Sequence, residues 1–188
     1  TSAQEALGKD NLLGDEGAVA LYQKVLAAEP DNALAKAGVQ RSVEALSLQA
    51  NAAIKGGDLV NGSARIEDIA RILPTFPGLP ELKAKLASQR DQAAAALAKE
   101  LDRADAQLRA GRISGDKDSA QALFEAVLAL DADNQRARSG LRKVAQALIV
   151  RARVAIEDSN SELAGRLLGQ ADVLAPGQAD LNAARVEL

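Results

Sequence analysis

Apolar residues recur along this chain at intervals of three and four: Leu21, Val25 and Leu26; Ile66, Ile69, Ile72 and Leu73; Leu123, Val127, Leu128 and Leu130; Leu163, Leu167, Leu168 and Leu174. That spacing gathers them on one face of a helix and departs from the alternation of a half-buried strand. The apolar segments are separated by clusters of turn formers and capping side chains: Pro30-Asp31-Asn32, Gly56-Gly57-Asp58, 74–80, 111–116, Asp133-Asn134, 158–160 and Pro176-Gly177. The pattern predicts helices over 2–10, 16–29, 33–56, 59–73, 79–110, 117–131, 134–158, 161–174 and 178–188, and no strand. Asn32, Asp58, Asn134 and Asn160 stand where a side-chain oxygen can accept from a free amide of the helix that follows.

The helical pattern is written twice. "GDEGAVALYQKVLAAEPDN" from Gly14 returns as "GDKDSAQALFEAVLALDADN" from Gly115. Shifted by 102 positions, 15–86 aligns without a gap on 117–188 with eighteen identities, among them Leu26/Leu128, Asp31/Asp133, Asn32/Asn134, Gly38/Gly140, Ile54/Ile156 and Pro74/Pro176. An alanine-rich composition inflates such a count, but Asp, Asn, Gly and Pro match where helices must start and stop. The expected organisation is one α-helical repeat domain over 1–188, with an internal duplication of 1–86 and 104–188 joined by a long helix at about 79–110.

Composition narrows the kind of core. The chain has one Tyr, two Phe and no Trp, Cys, His or Met, so its interior must be built from Ala, Leu, Ile and Val. Such a core lets helices approach closely. A net charge of −3 with acids and bases interleaved supplies no concentrated basic field, which argues against nucleic acid or an anionic membrane as partner. The longest apolar run is far short of the ~20 residues a membrane helix needs. The absence of Met points to a segment excised from a longer polypeptide, and Thr1-Ser2 is compatible with a vector remnant. Lack of Cys is permissive for an oxidising compartment, without excluding the cytosol.

Three strings resemble binding motifs, and each has a simpler reading. "GDLVNGS" at 57–63 looks like a phosphate loop but lacks the lysine and a preceding strand, so helix initiation accounts for it. Asn61-Gly62-Ser63 is formally a glycosylation acceptor inside a predicted helix. "DADN" at 131–134 lacks the glycine and terminal glutamate of a calcium loop and reads as turn and cap chemistry. Without His or Cys, no nucleophile–base pair or transition-metal ligand set is recognisable, so neither enzyme activity, a metal nor a cofactor is expected.

Each half divides again. Ala3/Leu7, Ala50/Ile54, Ala104/Leu108 and Ala152/Ile156 set a small residue one turn before a larger one near the end of a first helix. A second helix follows with Ala18/Tyr22, Gly62/Ile66, Ala120/Phe124 or Ala164/Leu168, closing at Pro30, Pro74, Ala132 or Pro176. "GDEGAVALYQKVLAAEP" resembles the second half of a tetratricopeptide repeat, with Gly14, Asp15, Ala18, Tyr22 and Pro30 filling its pattern and Val25 at the usual last Ala. Gly57, Asp58, Gly62 and Pro74 carry a second copy, Gly115, Asp116, Ala120 and Phe124 a third, and Ala164 and Pro176 a fourth. The closing positions lie 44, 58 and 44 apart instead of the ~34 of the family, which lengthens the first helices.

The resemblance implies an all-α fold: a right-handed superhelical stack of antiparallel helix pairs, an α-solenoid without β-sheet. Physically, one helix pair cannot cover both of its apolar faces, so each pair uses its neighbour as missing core. Ala18, Ala50, Ala104, Ala120 and Ala152 would let helices close to ~8–10 Å, while Tyr22 and Phe124 fill the gap between pairs. The resemblance also implies a groove lined by first helices that captures a partner polypeptide. On this chain those positions are Asn51, Lys55, Asp105, Arg109, Arg153 and Glu157. Solvation of an exposed face is their alternative role.

The function expected is therefore a non-catalytic interaction scaffold, a segment of a larger bacterial protein that binds another protein or peptide. The alternative is a structural spacer or oligomerisation arm beside an enzyme or membrane anchor, with no ligand of its own. A thiol-free, Ala/Arg-rich fragment fits the periplasmic part of a bacterial envelope protein, with the cytoplasm as the alternative. At 178–188, Leu181, Val186 and Leu188 need a neighbour: a continuing parent chain, a second copy through self-association, or a fold-back on 161–174.

Overall fold

The structure, a computed structural model, describes residues 2–188; Thr1, half of the supposed vector remnant, lies outside the described residues. Among the described residues the chain forms α1 (Ser2–Gly8), α2 (Ala18–Ala28), α3 (Ala33–Lys55), α4 (Leu59–Ile72), α5 (Leu79–Arg109), α6 (Ala120–Leu130), α7 (Gln135–Glu157), α8 (Ser161–Leu174) and α9 (Ala179–Glu187), with no strand. Every predicted helix is present, with ends moved by less than one turn. The sixth starts at Ala120 instead of 117 for a local reason. Asp116 accepts from the Asp118 amide at 2.8 Å through its side chain and from the Ser119 amide at 3.2 Å through its carbonyl. Those bonds hold 116–119 in a turn, and Ser119 becomes the cap.

Helix starts follow the anticipated chemistry. Asn32, Asp58, Asn134 and Asn160 each accept from the amide three residues on, at 2.9, 3.0, 3.0 and 3.1 Å. The start of α2 has no side-chain cap and that of α6 has Ser119, and both are met in addition by the incoming loop. The amides of Ala18 and Val19 donate to the carbonyls of Asn11 and Leu12, and those of Ala120 and Gln121 to Arg112 and Ile113. Helix ends repeat as well: Glu29, Leu73, Asp131 and Ala175 all close a helix with the same non-helical backbone, φ from −132° to −152° and ψ from 78° to 87°. A following proline disfavours helical backbone at three of them. Asp131 takes the same form before Ala132, so the path of the chain enforces it too.

The chain divides into two compact units, the first reaching Ala93 and the second Ala94–Leu188, with the division inside α5. In the first unit α1 packs on α2 and α3, α2 on α3, and α3 on α4. Leu79, Leu82 and Leu86 of α5 complete the same core. In the second unit Leu101 and Ala104 of α5 share a core with α6, α7 and α8, while α9 packs on α7 and α8. Leu181 and Ala184 are fully buried there, so the fold-back accounts for Leu181, whereas Val186 and Leu188 stay exposed.

Each unit is organised around one aromatic ring. Tyr22 of α2 lies on Gly38 of α3, and Phe124 of α6 lies on Gly140 of α7; a Cβ at either glycine would run into the ring. Each ring joins the helix that carries it to the next one in the chain, α2 to α3 and α6 to α7. Small residues close the other contacts: Ala18, Ala50, Ala104, Ala120, Ala152 and Ala164 have no exposed surface. In α4, Gly62 sits against Ile54 of α3.

Two glycines in helices should therefore respond oppositely to alanine. Gly140→Ala is expected to destabilise by about 1–3 kcal/mol through overpacking against Phe124. Gly169→Ala, on an exposed face of α8 with open space around its Cβ, should stabilise by about 0.5–1 kcal/mol. Phe124→Ala removes the ring and should cost ~3–5 kcal/mol. Urea midpoints check all three; a midpoint that rises for Gly140→Ala, or does not move for Phe124→Ala, is incompatible with this packing.

Candidate functional site

The sequence-derived groove positions fall on two units and are described unit by unit. In the first, Asn51 and Lys55 lie one turn apart near the C-terminus of α3, where the helix runs beside the start of α5. Together with Ile54, Lys85, Ser88 and Gln89 they line an open cleft of about 390 Å³. Asn51 is engaged on both sides: its Nδ2 donates to the Ser47 carbonyl at 3.2 Å and its Oδ1 accepts from Lys85 Nζ at 3.2 Å. Lys85 also pairs with Glu81 at 2.7 Å, and that hydrogen bond and charge hold the Glu81 carboxyl below its usual range. Lys55 is exposed and has no ion pair among the described residues.

In the second unit the positions separate. Asp105 faces α7: with Asp102 it grips the Arg136 guanidinium, each carboxylate 2.6 Å from Nη2 and Asp105 also 3.2 Å from Nε. These bonds, first to Asp102 and then to Asp105, raise the Arg136 pKa above the ordinary arginine value. Arg109 ends α5 and Glu157 ends α7, both exposed. Arg153 lines a cleft of about 250 Å³ with Gln146, Ile149, Val150 and Asp180. Its Nε forms an ion pair with Glu187 of α9 at 3.5 Å but has no hydrogen-bond partner among the described residues. Arg153 and Asn51 are 102 apart and take the same place on α7 and α3. Each lies beside the helix that follows its pair, α9 or the first part of α5.

The motif-like strings resolve into local structure. Gly57 takes a φ of +82°, Asp58 caps α4, and the Asn61 side chain donates back to Asp58 at 2.6 Å. Asn61, Gly62 and Ser63 all lie within α4. In the other string Asn134 donates to Asp131 at 3.0 Å, and Arg138 pairs with Asp133 at 2.8 Å. No cluster of three metal-ligating side chains occurs among the described residues, and no helix there is long and apolar enough to cross a membrane.

Sequence reasoning did not single out a second cavity in the first unit. Ala3 and Gln4 of α1, Leu21, Tyr22 and Val25 of α2, and Asn32 and Leu34 beside the start of α3 enclose about 330 Å³. Tyr22 is 5% exposed, and its hydroxyl has no hydrogen-bond partner among the described residues. The signal was present in the alignment, which places Leu34 against Arg136 and Tyr22 against Phe124, a charge lost and a hydroxyl gained at one corner. Comparison with known proteins gives no relative from which a site can be transferred: no family model, curated protein or solved structure matches this chain.

Two predictions come from this chemistry. An enclosed hydroxyl without a partner costs about 1–3 kcal/mol, so Tyr22→Phe, which copies Phe124, should raise the melting temperature; a fall would mean that the hydroxyl is bonded in solution. Asp58 is held below the ordinary carboxylate pKa by the Asn61 amide, then by the Asn61 side chain. A depressed folded-state pKa adds stability above the unfolded value and loses it as pH falls through the folded one. Asp58→Asn, the residue found at the matching Asn160, should flatten the loss of melting temperature below about pH 4. An acid limb identical to wild type would remove Asp58 from that role.

Proposed function

We propose that this chain is a divergent tetratricopeptide-like helical repeat, its pairs stacking in the right-handed sense of that family, and that it serves as a non-catalytic scaffold binding another polypeptide. The observation that carries the reading is the cleft between α3 and α5. Ala52 and Ile54 line it beside Lys55, Lys85, Ser88 and Gln89, so donors and acceptors on two helices border apolar side chains. Such a surface suits a peptide, whose backbone needs directed hydrogen bonds while its side chains need burial. Lys55 adds a long cationic donor able to take a carboxylate, as exposed Arg109 does separately on the second unit.

One observation favours the alternative, a structural spacer. Residues 91–96 of α5 are exposed on every side, as in a helix that serves as a spacer. The Lys85–Asn51 bond, which ties a donor and an acceptor of the cleft to each other, supports the same alternative.

The test is affinity capture with wild type and with the combined Asn51→Ala, Lys55→Ala, Arg109→Ala and Arg153→Ala variant, after circular dichroism has shown equal helicity and melting. A captured polypeptide that binds wild type at least tenfold more strongly than the variant supports the groove. Equal capture by both removes it, and capture by neither leaves the spacer reading in its place.

A further inference from the structure

α7 carries six cationic side chains and one carboxylate. Four of the cations are engaged: Arg136 with Asp102 and Asp105, Arg138 with Asp133, Arg151 with the Gly111 carbonyl and Arg153 with Glu187. Arg142 and Lys143 are exposed and make no side-chain bond or ion pair among the described residues, and the same holds for Glu157 and Asp158 at the other end of the helix. Between the two charged ends, Val150 and Val154 are 60% and 52% exposed. At helical spacing Lys143, Gln146, Val150, Val154 and Glu157 form one stripe, opposite the side that Val144, Leu148, Ala152 and Ala155 bury.

The matching positions of α3, Arg41, Glu44, Leu48, Ala52 and Lys55, are exposed as well, Leu48 by 71%. In the first unit this stripe is open with α4 and the first part of α5 following it, and in the second with the rest of α5 and α6 preceding it. Its openness therefore belongs to the repeated unit.

The two stripes differ in symmetry. On α7, Lys143 and Glu157 lie equally far from Val150 in opposite directions. A two-fold axis at Val150 would lay a second α7 antiparallel on the first. It sets Lys143 opposite Glu157, Arg142 opposite Asp158 and Gln146 opposite Val154, twice each, with the two Val150 side chains meeting at the centre. Parallel pairing would set cation on cation and carboxylate on carboxylate. On α3 the operation that matches Glu44 with Lys55 brings Leu48 against Asn51, whose amide is already bonded to Ser47 and Lys85.

We propose that the outward stripe of α7 is a self-association surface, and that its occupant is α7 of a second copy of this chain in antiparallel orientation. Complementary charge at both ends and an aliphatic pair at the midpoint select that occupant. One helix on one helix is a small contact, below the ~1,200 Å² of a standard interface, and salt screens its exposed ion pairs. The dimer is accordingly weak, favoured by high protein concentration and low salt. The inference goes beyond the peptide-capture reading and is independent of it: it is read as mass, and Asn51, Lys55 and Arg109 lie elsewhere.

The test is sedimentation equilibrium of the full chain from micromolar to millimolar concentration, at low and at half-molar salt. A monomer–dimer equilibrium is expected, at least tenfold weaker in the high salt. Val150→Asp, at an exposed position, should weaken it at least tenfold while circular dichroism shows an unchanged fold. Lys143→Glu and Glu157→Lys should each weaken it at least tenfold, and an equimolar mixture of these two variants should dimerise again, because every crossed pair is then opposite in sign. A chain that stays monomeric at millimolar concentration and low salt overturns the proposal. So does a mixture of the charge variants that fails to pair, or a dimer that Leu48→Asp dissociates and Val150→Asp does not, which would assign the contact to α3.

Discussion

An aromatic ring laid on a glycine sets the distance between the second helix of one pair and the first helix of the next. Tyr22 on Gly38 and Phe124 on Gly140 do this once per unit. Both partners are constrained: the ring is the largest side chain in its core, and the glycine is the only residue that leaves room for it. Once that contact is fixed, the alanines at 18, 50, 120 and 152 fall where the other helices approach, and their small size becomes useful packing instead of lost burial. A core without Trp or Met can be well packed on these terms because its gaps are made small, not because its side chains are large.

What could be read from sequence is what is decided locally. Asn32, Asp58, Asn134 and Asn160 each carry their own cap chemistry and act within four residues, so their positions mark the helix starts whatever the tertiary arrangement. Gly38 and Gly140 were visible as an identity between the halves, and Tyr22 and Phe124 as the aromatics of the repeat pattern, but the seating of each ring on its glycine was not, because sixteen positions separate the two and only the α2–α3 and α6–α7 crossings bring them together. The start of α6 was misplaced by the Asp116 turn, whose bonds compete with helix for the same amides.

The candidate site shows the same divide. Asn51 and Arg153 were singled out by their place on a first helix, and the structure puts both beside the helix that follows. Nothing in their local sequence says that Lys85 is already bonded to Asn51, or that Asp105 is held by Arg136. Those facts depend on partners more than thirty positions away. The corner around Val25 needed burial to be found, since Val25 and Val127 are the same residue in matching strings and differ only in what covers them.

The middle of α5 belongs to neither core. Where a helix packs, its residues are selected by the surface they meet; between 91 and 96 every residue is exposed, and selection acts mainly on the backbone. The run of four alanines at 93–96 then has a plain origin, since alanine holds a solvated helix better than any other residue. Amide protons in this stretch are guarded only by the helix's own bonds, so hydrogen exchange there should follow the opening of one helix and not the melting of a whole unit.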